Sequence, residues 1–92
     1  MAVLVTSDGP GITAEMDDAM VKSLDLIGNP PPGAHIRLAG KTDDGWRIVS
    51  LWDSRDAFQS FLDNRLRVAL EAAGRSVPEF TFWDIESVVT LT

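Results

Sequence analysis

The chain has no cysteine and no tyrosine, and only one histidine among its 92 residues. Without thiols there is no disulfide framework, no thiolate zinc site and no cysteine-held iron–sulfur cluster. One histidine cannot supply a three-histidine metal site or the paired histidines of a helical zinc motif. Basic residues are also scarce, 8 Lys and Arg against 14 Asp and Glu, for a formal charge of −6. Arg65 and Arg67 are the nearest approach to a basic stripe, so neither nucleic acid nor an anionic membrane is an expected partner. No segment approaches the ~20 apolar residues of a membrane span. The first residues lack the positive region and apolar length of a signal peptide, so a cytoplasmic location is expected. Serine-hydrolase chemistry has no Gly-x-Ser-x-Gly elbow here, and Gly9-Pro10-Gly11 lacks the spacing of a nucleotide fingerprint.

What is present reads as one domain over residues 1–92. The apolar, β-branched run 2–6 predicts a strand that ends at Asp8-Gly9-Pro10-Gly11. Thr13 is placed to cap a helix with Glu15, Asp17 and Asp18 near its positive end. Met16, Ala19, Met20, Leu24 and Ile27 follow at helical spacing, with Gly28 as the expected stop and a stiff Pro-Pro-Pro-Gly connector after it. Residues 34–40 and 46–52 flank a turn, Lys41-Thr42-Asp43-Asp44-Gly45, and predict a hairpin. In its first arm Ile36 and Leu38 share one face, His35 and Arg37 the other. Asp53 or Ser54 caps a second helix, with Phe58, Phe61, Leu62, Leu66, Ala69, Leu70 and Ala73 on one stripe and Gly74 just past its end. Residues 80–89 predict a last strand.

The order β-α-β-β-α-β predicts a ferredoxin-like α+β fold, a four-stranded antiparallel sheet with both helices on one face. The first and third strands are then central. Two helices cover only one sheet face, yet the strands are apolar on both. The third strand carries Trp46, Ile48 and Trp52 on one side, Val49 and Leu51 on the other. Burial of the second face against another copy predicts a homodimer.

Several segments carry a family resemblance. Pro31-Pro32-Gly33, then Ala39-Gly40, Thr42-Asp43-Asp44-Gly45-Trp46-Arg47 and Trp52-Asp53-Ser54-Arg55-Asp56-Ala57-Phe58 resemble the dimeric α+β barrel superfamily. Within it the chain is most similar to small proteins near the antibiotic-biosynthesis monooxygenase-like group. The resemblance spans about residues 2–90 and implies two subunits whose sheets form a shared barrel. It also implies a small-molecule cleft in each subunit, between sheet and helices. Relatives of that fold include cofactor-independent oxygenases, haem-degrading enzymes, muconolactone isomerases and polyketide cyclases. Members of the group often have a carboxylate where this chain has Ser50, and a histidine where it has Phe61. Both differences remove polar groups from the expected cleft and weaken the case for oxygenase chemistry.

His35 is the candidate general base, with an idle place on an edge strand as the plainer reading. Arg37 could hold an anionic ligand group, or bridge to Asp84 or Glu86 of a second subunit. Trp52 ends a strand beside the second helix and is the leading aromatic cleft residue, although such residues more often serve a core or an interface. Phe61, Asn64, Ser50 and Met20 complete the candidate ligand-binding set. No cofactor or metal is expected. Three functions fit: binding of an apolar or aromatic small molecule, a cofactor-independent monooxygenase-like enzyme, or a structural or regulatory dimer without ligand. A cavity above about 300 Å³ between the second helix and the sheet separates the first two from the third.

Overall fold

The computed structural model describes residues 1–91. Four antiparallel strands form one sheet in the order β2-β3-β1-β4, with helices on one face. β1 (Val3–Pro10), α1 (Ala14–Ser23), β2 (Ala34–Lys41) and β3 (Gly45–Trp52) follow the expected sequence. A second helical stretch comprises α2 (Arg55–Phe61), a π-helical turn (Leu62–Leu66) and α3 (Arg67–Ala72), after which β4 (Thr81–Asp84) closes the sheet.

Capping chemistry explains most helix boundaries. The Thr13 hydroxyl accepts from the Met16 backbone N–H, and the Ser54 hydroxyl accepts from that of Ala57, as N-caps do. At the end of α3, Gly74 lies at φ +70°. Its N–H donates to the Glu71 carbonyl, and the Arg75 N–H donates to that of Leu70, which is a Schellman motif.

The end of α1 corrects the sequence expectation. The helix stops at Ser23 rather than Gly28, and the left-handed residue is Asp25, at φ 52°. Asp25 donates to the Lys22 carbonyl and Leu26 to that of Val21, the same two-bond closure. Aspartate tolerates this backbone region better than most residues. The early stop turns Ile27 out to 90% exposure.

Two further boundaries differ. The second helix is not one uninterrupted α-helix, because the Arg67 N–H donates to the Leu62 carbonyl, five residues back. The last strand ends at Asp84 rather than residue 89. Asp84 pairs with Val3, where β1 begins, and one further bond links the Ile85 N–H to the Ala2 carbonyl at 2.8 Å.

The register separates two faces. Val3, Val5, Trp52 and Phe82 point toward the helices, and Val3, Val5 and Trp52 join Phe58, Phe61, Leu62 and Leu24 in the core. On the other face one apolar row crosses the whole sheet, Ile36–Leu51–Leu4–Trp83. Ile36, Leu38 and Trp83 are 53%, 58% and 50% exposed.

A chamber between sheet and helices

A cavity of about 380 Å³ lies between the sheet and the second helical stretch. Val5, Ile48, Ser50 and Trp52 line it from the sheet, Phe58, Phe61, Leu66 and Leu70 from the helical side, and Phe80 from the approach to β4. The aromatic rings hold one another in place. Trp52 meets Phe58 edge-on with centroids 5.4 Å apart and Phe61 at 5.3 Å, and Phe58 meets Phe80 at 4.9 Å. Such contacts are favourable beyond the area they bury. The indole N–H of Trp52 donates to the Ser50 hydroxyl at 2.9 Å, so these two candidate residues satisfy each other.

A larger, adjoining cavity of about 610 Å³ opens toward the far ends of β1 and β3. Trp46, Met20 and Asp17 line it, and Arg37, Ile48 and Arg75 line both chambers. Met20 therefore lies in the outer chamber rather than beside Trp52. Among the described residues, the indole N–H of Trp46 is buried without an acceptor.

Arg37 stands at the junction and is already engaged. Its guanidinium donates to both carboxylate oxygens of Asp17 on α1, at 3.1 and 2.5 Å. Asp17 is the one charged residue among the buried positions. The expected link from Arg37 to Asp84 or Glu86 of a second subunit gives way to this pairing within the chain. The cause is the register, which turns Arg37 to the helix-covered side opposite Ser50.

His35 does not follow simple alternation. β2 is irregular between Ala34 and Ile36, so His35 occupies a bulge and is not on a regular face with Arg37. Its Nε2 lies within hydrogen-bond distance of Asp53 Oδ1, with side chains 52% and 64% exposed. The ring is part of the inner chamber's rim, and with Nε2 donating to the carboxylate, Nδ1 is the nitrogen left for a ligand. Just before the bulge, Gly33 packs closely on the start of the second helix. It sits at φ +85°, and a Cβ there would come 2.8 Å from the Ala57 Cβ.

Asn64 is exposed and lines neither chamber. Its neighbour in the π-turn turns inward instead, where the Arg65 guanidinium donates to the Leu24 carbonyl, a cation at the end of α1. Sequence reasoning missed Phe58 and Phe80 as chamber residues, Asp17 and Asp53 as partners, and Arg75 altogether. The stripe of the second helix contained the signal for Phe58; the other four depend on long-range contacts.

Among the described residues, no three His, Cys, Asp or Glu side chains cluster as a metal site, and no helix is long and apolar enough to cross a membrane.

The architecture has clear counterparts among solved structures. The fold is that of the antibiotic-biosynthesis-monooxygenase-like proteins. A candidate antibiotic biosynthesis monooxygenase from Chloroflexus aurantiacus J-10-fl superposes with a TM-score of 0.67 at 17% identity, covering 100% of both chains. SnoaB, a cofactor-independent oxygenase from Streptomyces nogalater, gives 0.63 at 16% identity over 96% of this chain and 95% of its own. The heme-degrader MhuD from Mycobacterium tuberculosis, with two hemes bound in its active site, gives 0.61 at 16% identity over 98% and 100%. No family model matches the chain, and no curated protein matches it. At these identities the likeness concerns the fold, which is compatible with small-molecule binding.

Proposed function

We propose that the chain binds a small apolar or aromatic molecule in the inner chamber and works as a homodimer. The observation that carries the ligand reading is the chamber itself. Its volume of about 380 Å³ falls in the range of small-ligand sites, and its mostly apolar walls include aromatic side chains held by mutual contact. Trp52, Phe61, Ser50 and Arg37 are its proposed ligand-contacting residues, with Met20 in the adjoining chamber; Asn64 is left outside. Titration with the neutral bicyclic probe 2-naphthamide, followed by the indole N–H resonances, tests this. The Trp52 resonance is expected to shift saturably while Trp83, on the opposite sheet face, does not. Absence of a saturable shift at Trp52 would defeat the reading.

The homodimer is supported by the Ile36–Leu51–Leu4–Trp83 row. It is wide, apolar and uncovered, and a second copy offers a matching surface by twofold symmetry. Sedimentation of the protein at several concentrations is the direct test.

One observation favours an enzymatic reading as well. His35, oriented by Asp53 at the rim, is placed as a general base for a substrate O–H or C–H. A monooxygenase-like reaction without metal or flavin is then the activity to assay, with a reduced aromatic polyketide under oxygen. Turnover that survives His35→Ala unchanged would remove His35 from that role.

A further inference from the structure

We propose that the ligand of this cleft carries an anionic group and that Arg75 receives it. The inference rests on the binding reading above and names the chemical class of the ligand.

Nearly every cation in the chain is accounted for. Lys22 pairs with Asp18, Arg37 with Asp17, Arg47 with Asp8 and Arg67 with Asp63. Arg65 binds the Leu24 carbonyl, and Arg55 lies 4.0 Å over the Phe82 ring. Lys41 is exposed at the end of β2. Arg75 is different. It is half-buried, it lines both chambers, and among the described residues its side chain makes no ion pair or hydrogen bond. A partly buried guanidinium without a protein acceptor is free to take one from a ligand, and a carboxylate or similar oxyanion is the group its planar fork fits best.

The surroundings support the same sign. Arg37, the other guanidinium at the junction, already has its charge balanced by Asp17, which leaves Arg75 as the uncompensated positive charge there. Glu79 also lines the outer chamber, but it is exposed and within 4.0 Å of no cation. A protein of net charge −6 disfavours anions in general, so an anion that binds must find a local cation. The fitting ligand has its apolar body against Trp52 and Phe61 and its anionic head at the junction, beside Arg75.

The experiment compares 2-naphthoate with its uncharged near-isostere 2-naphthamide, by calorimetry at neutral pH, on the wild type, Arg75→Gln and Arg75→Lys. The Arg75 backbone N–H, not its side chain, closes the helix cap, so the substitutions leave that cap intact, and circular dichroism checks the fold. The wild type is expected to bind naphthoate about tenfold more tightly than naphthamide. Arg75→Gln should erase that ratio by weakening naphthoate far more than naphthamide, and Arg75→Lys should keep part of it. Equal Kd values for the two probes in the wild type, or a ratio untouched by Arg75→Gln, would overturn the proposal while leaving the chamber reading in place. If neither probe binds, both readings fall together.

Discussion

Arg37 and Asp17 join β2 to α1 through a two-bond fork, with side chains 27% and 11% exposed. The pair lies at the boundary between the two chambers, so it shapes the cleft as well as tying a strand to a helix. A fork of this kind fixes geometry through two parallel N–H···O bonds. Its worth to stability is moderated by residual solvent on the arginine side. Removing one partner matters more, because the other is left half-buried without its counter-charge.

Asp17→Ala is therefore expected to lower the unfolding free energy by about 1–3 kcal/mol, read from urea midpoints. The double replacement with Arg37→Ala should cost less than the sum of the two single changes. A single-mutant effect within about 0.5 kcal/mol, the usual range for surface positions, would show that the fork does not anchor α1.

Ser50 and Trp52 make a second testable pair. Trp52 is 3% exposed, and its only hydrogen-bond acceptor among the described residues is the Ser50 hydroxyl. Ser50→Ala leaves the indole N–H buried without a partner and should cost about 1 kcal/mol or somewhat more. The Trp52 indole proton should move upfield in the same variant. An unmoved resonance would mean that the N–H has another acceptor, and the polarity of the chamber would need a different account.

The strand order was legible because two covered strands and two hairpin arms fit only one simple arrangement, and the caps at Thr13, Ser54 and Gly74 were legible because their side chains or backbone freedom act locally. What stayed hidden was decided by partners distant in sequence. Asp25 in place of Gly28 as the left-handed residue of α1, and the early end of β4 opposite the start of β1, have no local mark. The bulge at His35 broke an alternation that the sequence shows as regular, and the register it leaves sends Arg37 to Asp17. The same limit applies to the site. Trp52 and Phe61 stand out as aromatics on apolar faces, but the lack of a partner at Arg75 is a property only of the folded chain.

The outer sheet face carries its own prediction. Leu38 is 58% exposed and sits beside the Ile36–Leu51–Leu4–Trp83 row, opposite Val49. Leu38→Glu should fold normally, since the side chain has little burial within one chain to lose. In a dimer packed through this face it would force a carboxylate into an apolar contact. The wild type is expected to sediment as a dimer at micromolar concentration and Leu38→Glu as a monomer. A monomeric wild type, or a variant that stays dimeric, would rule out this face as the interface.

Asp8 and Arg47 give a pH dependence whose sign follows from their contact. The two residues face each other across β1 and β3, and the guanidinium donates to both carboxylate oxygens, at 2.7 and 3.2 Å. The hydrogen bond from Arg47 is the main reason the Asp8 carboxyl is held below its usual range, and the nearby positive charge acts in the same direction. A carboxyl whose pKa is lower in the folded than in the unfolded chain adds stability above its unfolded pKa and loses it as pH falls through the folded one. The contribution is thus complete at neutral pH and fades below about 4, the ordinary aspartate value. Both side chains are more than half exposed, so the effect is small and salt-sensitive. The wild type should melt slightly above Asp8→Asn at pH 7 in low salt, and the two should converge as the pH drops toward 2. A Tm difference that persists unchanged at pH 2 would show that Asp8 acts through packing or backbone effects rather than through its charge.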